Sequence, residues 1–185
     1  MKKIILYFAV AFLFTLSAEG VAQTKKFADR GIFEIGGRLD FSYLDKERGA
    51  GLGHETQGNF SFAPQLGYFL TANFEVSVLP TVNVNFYDNR ATETLYGAML
   101  APAYVLPYLR PFYPYIEGLV GSTLSKNNQT VSWGVGTGIK ILVLENALLK
   151  LGFTYLNNNK TSRVDSSIYE KENLLNFSVG FGIFF

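Results

Sequence analysis

Apolar and polar residues alternate with a period of two through most of the chain after residue 30, and the alternation returns in eight separate stretches. In Phe33 to Tyr43 one face carries Phe33, Ile35, Gly37, Leu39, Phe41 and Tyr43, while Glu34, Gly36, Arg38, Asp40 and Ser42 share the other. The stretches 60–68, 74–86 and 131–141 repeat this cleanly, and 149–155 repeats it in shorter form. Two further stretches, 96–106 and 115–124, are less regular: Met99 and Val105 fall opposite Tyr96, Leu100 and Tyr104, and Glu117 falls opposite Ile116 and Val120. The last, "NFSVGFGIFF" at 176–185, puts an apolar residue at every odd position. A period of two is a strand signal, because successive side chains leave a strand on opposite faces. Eight strands are therefore expected.

The connections alternate too. Those after the first, third, fifth and seventh strands are polar and often long, at 45–57, 88–94, 125–130 and 157–173. The others are tighter, at 71–73, 107–111 and 144–147. An antiparallel up-and-down barrel with both termini at one rim produces this odd-even rule, so the expected fold is all-β: an eight-stranded antiparallel up-and-down transmembrane β-barrel over residues 23–185.

Alternation alone does not separate a membrane barrel from a soluble one. The second face decides, since a solvated face would be rich in Lys and Glu. Here it holds mostly Gly, Ser, Thr and Asn, with Glu34, Asp40, Glu75 and Glu117 against Arg38, Lys140 and Lys150. Nearly balanced charges among small residues suit a narrow enclosed interior, where an unpaired charge is costly. Glu34, Arg38, Asp40, Glu75, Glu117 and Lys140 are accordingly expected to form an interior polar network. Leu79, Met99, Val105 and Leu119 also fall on the inner side. Aromatic residues near strand ends are expected to form two interfacial girdles: Tyr43, Phe86, Trp133 and Tyr155 at the long-loop rim, and Phe69, Phe74, Tyr108, Phe112, Tyr113 and Phe185 at the short-turn rim. Pro64, Pro80 and Pro102 lie on the apolar face and are expected to mark bulges or bends.

Composition narrows the picture. A net charge of +1 with 17% charged residues gives no footprint for nucleic acid, and the absence of cysteine excludes disulfides, thiolate metal sites and a cysteine nucleophile. Residues 1–22 open with Lys2 and Lys3, run apolar from Ile4 to Leu16 and reach small residues at Gly20 and Ala22. This is the pattern of a secretory signal peptide, with cleavage expected after Ala22.

A signal segment, eight alternating strands and a C-terminal phenylalanine preceded by apolar residues at every second position resemble the eight-stranded bacterial outer-membrane barrels, the group that includes the OmpA and OmpX barrels. The resemblance implies an outer-membrane location in a Gram-negative type bacterium, contact with outer-membrane lipids and lipopolysaccharide, and a monomeric barrel. It also implies that Phe177, Val179, Phe181, Ile183 and Phe185 form the ridge read by the barrel-assembly machinery. Unlike full-length OmpA proteins, the sequence carries no periplasmic domain after the barrel, so peptidoglycan anchoring is not expected.

Candidate chemistry is sparse. His54 is the only histidine, and a catalytic set with Asp165 and Ser166 or Ser167 departs from the patterns of lipid A-modifying barrels, so no enzyme activity is expected. The glycine runs at 49–53 and 134–138 open no helix that could hold a phosphate. Loop carboxylates show no calcium-ligand spacing, and no cofactor or metal is expected. An eight-stranded barrel is filled by side chains, which disfavours a general porin. The expected role is structural or surface-interacting, with loops 45–57 and 157–173 as the contact surface for an extracellular ligand. A narrow transporter for small or hydrophobic molecules is the alternative, and a lipid A-modifying enzyme a more distant one.

Overall fold

The computed structural model of the protein describes residues 27–47, 54–87, 91–106, 111–126, 128–162 and 169–185. Their regular elements are strands: β1 Phe33–Glu47, β2 His54–Thr71, β3 Phe74–Tyr87, β4 Glu93–Val105, β5 Phe112–Leu124, β6 Asn128–Leu142, β7 Ala147–Ser162 and β8 Tyr169–Phe184. Each pairs antiparallel with its sequence neighbours, and β1 pairs with β8 to close the barrel. Closure satisfies both edges of the sheet, which is the condition for a sheet to sit in lipid. The closing pair ends on Phe33 and Phe185, which exchange backbone hydrogen bonds of 2.9 and 3.0 Å. Their rings stack at 6.4 Å on the outer surface, where Phe33 also meets Tyr68 at 4.6 Å.

Alternation becomes geometry directly. Phe62, Leu66, Val78, Leu100, Ile116, Val120, Val135 and Phe153 face outward and are exposed, while Ser61, Gln65, Ser77, Thr81, Ser132, Thr154 and Ser178 point inward and are buried. The exposed apolar belt runs round the barrel, an inversion of the soluble pattern that only a non-aqueous surrounding makes favourable.

Several strands run beyond their expected ends. The stretch 45–57, expected as a loop, is strand at 45–47 and 54–57, with Asp45 opposite Thr56 and Glu47 opposite His54. Likewise β7 and β8 continue through 157–162 and 169–173, pairing Asn157 with Asn173 and Thr161 with Tyr169. Much of the two stretches expected as contact loops is therefore paired strand. The three prolines expected at bulges or bends insert no bulge into the β2–β3 and β4–β5 ladders. The β2–β3 ladder has no pairs between Phe62↔Val82 and Leu66↔Val78, where Pro64 and Pro80 stand, but the register is the same on both sides. The β4–β5 ladder is interrupted at Pro102 in the same way. Each proline removes a donor without inserting a residue, so these are gaps and not bulges. The one register shift in the β2–β3 pair lies between Phe69 and Thr71.

The girdle expected at the short-turn rim is also corrected. Phe112 and Phe185 do face outward, but Phe69 and Tyr113 point into the barrel, at 0% and 7% exposure. They pack with Phe27, Val105, Tyr115, Leu148 and Phe184 in an apolar cluster that closes this end. The segment before β1 builds the closure: Gly31 donates to the Phe69 carbonyl and Asn73 donates to the Ala28 carbonyl, at 2.9 and 2.8 Å. A left-handed backbone at Ala28 and Gly31 folds the segment back under the barrel. Phe27 then enters edge-on against Phe69 and Tyr113, at 5.6 and 4.9 Å between ring centroids.

Candidate functional site in the barrel interior

Above the aromatic cluster the interior turns ionic. Lys140 from β6 donates to Glu34 of β1 at 2.9 Å and to Glu75 of β3 at 2.5 Å, so one ammonium spans the lumen between two carboxylates. Lys150 of β7 forms an ion pair with Glu34 and donates to the Gln65 side-chain carbonyl at 2.6 Å. The Gln65 amide in turn donates to Ser77 at 2.8 Å, and Ser77 donates to Glu75 at 2.6 Å. Two lysines face two glutamates, and all four are buried. A charge taken this far from water costs several kcal/mol unless paired, and the ring of donors and acceptors supplies the pairing. Lys140 also lies 5.5 and 5.7 Å from the rings of Phe27 and Phe69, so the apolar closure presents its π faces to the cation.

A second group lies closer to the long-loop end. Arg38 donates through Nη1 to Glu117 at 2.7 Å and through Nε to Asp40 at 3.2 Å. Strand register explains how bulky acids fit so narrow a lumen. A Cβ at Gly67 would fall 2.8 Å from the Ser77 hydroxyl and against the Glu75 carboxylate, one at Gly136 would lie 2.7 Å from Glu117, and one at Gly182 would lie 3.0 Å from Glu34. Each glutamate therefore occupies the volume that a side chain on a nearby inward glycine would fill.

Of the six residues expected to share the interior, all six are inside, and they divide into two clusters: Glu34, Glu75 and Lys140 in one, Arg38, Asp40 and Glu117 in the other. Lys150, Gln65 and Ser77 complete the first cluster; their inward placement follows from alternation, but their bonding partners do not. Phe27 gave no sequence signal, because it precedes the first periodic stretch. An apolar patch of Ala63, Leu79, Met99, Ala101 and Leu119 lies beside the second cluster. Beyond it a cavity of about 80 Å³ is lined largely by polar residues, among them Asp40, Thr81, Asn158 and Asn176. At the mouth, Glu93 accepts from Ser125 at 2.7 Å, from Asn128 at 3.0 Å and from Lys160 at 3.2 Å, tying β4 to the β5–β6 hairpin and to β7.

The other sequence candidates lie elsewhere. Phe177, Phe181 and Phe185 are exposed on the outer face of β8, with Val179 and Ile183 half-buried between them. His54 begins β2, opposite Glu47 in the ladder. Asp165, Ser166, Ser167 and the signal segment 1–22 lie outside the described residues.

The architecture is that of known outer-membrane barrels. Neisserial surface protein A (NspA) superposes with a TM-score of 0.65 at 17% identity, over 83% of this chain and 99% of that one. The outer membrane protein OprG from Pseudomonas aeruginosa gives 0.51 at 19% identity, over 85% and 97%. Neither a protein-family profile nor a curated relative matches the chain. At these identities the likeness concerns fold: a closed eight-stranded barrel of the outer-membrane type.

Proposed function

We propose that this barrel is an integral protein of a bacterial outer membrane, exported on residues 1–22, with a structural or surface-interaction role and no general pore. The observation that carries the reading is the filled lumen. An aromatic closure containing Phe27 and Phe69 is followed by a paired layer of Glu34, Glu75, Lys140 and Lys150, with Arg38, Asp40 and Glu117 above it. An ion crossing this stack would have to displace Phe27 and break buried ion pairs in the same step. Function then falls to the outer surface: lipid and lipopolysaccharide at the belt, and an extracellular partner at the projecting ends of β1–β2 and β7–β8.

In planar bilayers the refolded protein is expected to show no stepwise conductance. Discrete, reproducible steps from the wild-type chain would favour the narrow transporter. Outer-membrane residence is checked separately, by fractionation and by a heat-dependent shift in gel mobility.

The ridge Phe177, Val179, Phe181, Ile183 and Phe185 is proposed to serve also as the signal for the barrel-assembly machinery. Phe185→Ala removes one outward side chain, worth about 1–3 kcal/mol as apolar contact. Detergent refolding should therefore survive, while insertion in cells drops sharply. Normal cellular insertion of this variant would reduce Phe185 to a lipid-facing side chain.

A further inference from the structure

The two ionic clusters differ in balance. The inner one sets Lys140 and Lys150 against Glu34 and Glu75 and is neutral. The outer one gives a single guanidinium, Arg38, to two carboxylates, Asp40 and Glu117, and so retains one negative charge among three buried or nearly buried side chains. The remaining described basic residue of the cavity lining, Lys160, is held at the mouth by Glu93. An uncompensated buried charge is the costliest arrangement an interior can hold, and it persists only with a counter-charge or a proton.

Next to this charge is a set of oxygens that no described donor reaches. Asn176 Oδ1 and Thr81 Oγ1, both on side chains about nineteen-twentieths buried, line the cavity with Asp40, and neither has a hydrogen-bond partner. Register brings more of them together. Asn176 pairs with Thr154 across β7–β8, and continuing the β1–β8 ladder past Phe41↔Phe177 brings Ser42 beside Asn176. Thr154 Oγ1 and Ser42 Oγ are likewise buried and unpartnered. Directly paired inward side chains lie about 4.5–5.5 Å apart at Cβ. Thr154 and Ser42 thus flank Asn176 on its two neighbouring strands, with Asp40 two residues from Ser42 on β1.

We infer that the cavity floor binds a small monovalent cation, of the size of sodium, potassium or ammonium, held by Asp40 and by the neutral oxygens of Asn176 and Thr81 that line the same cavity. One net charge with hydroxyl and amide oxygens suits a hard monovalent ion. Among the described residues no group of three or more acidic, histidine or cysteine side chains is assembled for a higher charge. The cavity of about 80 Å³ has room for several water-sized occupants, enough for an ion that keeps part of its hydration.

The test is urea unfolding of the refolded full barrel in a nonionic detergent, at constant ionic strength and pH, in sodium, potassium or N-methyl-D-glucammonium chloride. The bulky glucammonium matches the screening of the small ions but is too large for the floor. A ligand that binds only the folded state raises stability with the logarithm of its concentration. The wild-type midpoint should therefore be higher in sodium or potassium than in glucammonium, and should climb as the small ion replaces the large one. Asp40→Asn and, without a change of charge, Asn176→Leu should each flatten that dependence whatever they do to the midpoint itself, whereas Glu93→Gln at the mouth should keep it. Equal midpoints in all three salts would mean that a proton, not a metal ion, balances Asp40 and Glu117, and would overturn the site. A cation dependence unchanged in both Asp40→Asn and Asn176→Leu would overturn it equally.

Discussion

Lys140→Met should destabilise the folded barrel by about 3–5 kcal/mol, the range for breaking a buried ion pair from one side. The substitution keeps most of the side-chain volume and removes the ammonium that Glu34 and Glu75 share at 2.9 and 2.5 Å. Both carboxylates have essentially no solvent exposure, so neither can recover hydration in place. Lys150 still contacts Glu34, but Glu75 keeps only Ser77 and Gln65 as direct donors. One of the two acids is thus left charged without a cation. The loss should shrink when Glu75→Gln accompanies Lys140→Met, because the pair is then removed together. These residues share one network, so the effects will not add. Urea unfolding in detergent, followed by tryptophan fluorescence and gel mobility, measures both variants. A loss under about 1 kcal/mol for Lys140→Met alone would show that the inner cluster contributes little to holding the barrel together.

Leu100→Arg should cost about 2–4 kcal/mol in a bilayer, the value for a basic side chain near the middle of a barrel's lipid face. Leu100 is half-exposed in mid-β4, flanked on paired strands by Val78 and Val120, both also outward. Thr94→Arg is the control. Thr94 is exposed on the same strand but beside Glu93 at the long-loop rim, where the arginine reaches the interface and should cost about 0–1 kcal/mol. Unfolding titrations in lipid vesicles separate the two. Equal costs at both positions would mean that the apolar belt is not centred on Leu100.

The sequence by itself determined the number of strands and the face of each side chain over the belt. There the two surroundings differ most, lipid outside and a packed polar lumen inside, so each residue's chemistry matches the side it takes. Strand length escaped it for the same reason. At 45–47, 54–57, 157–162 and 169–173 the ladder continues beyond the belt, and polar residues such as Asn157, Asn158 and Asn159 suit either face, so alternation disappears while backbone pairing persists. Only the tertiary structure decided who bonds to whom. Lys140 and Glu34 are 106 positions apart and meet because closure turns the inner faces of β1 and β6 toward one shared lumen, where their two side chains reach each other. It also decided that Phe69 and Tyr113 close the barrel and do not ring it, because Phe27, from outside any periodic stretch, folds under the rim and gives them an apolar partner there. Period and composition are properties of neighbouring residues, whereas charge balance and closure depend on contacts that exist only once the sheet has joined its first strand to its last.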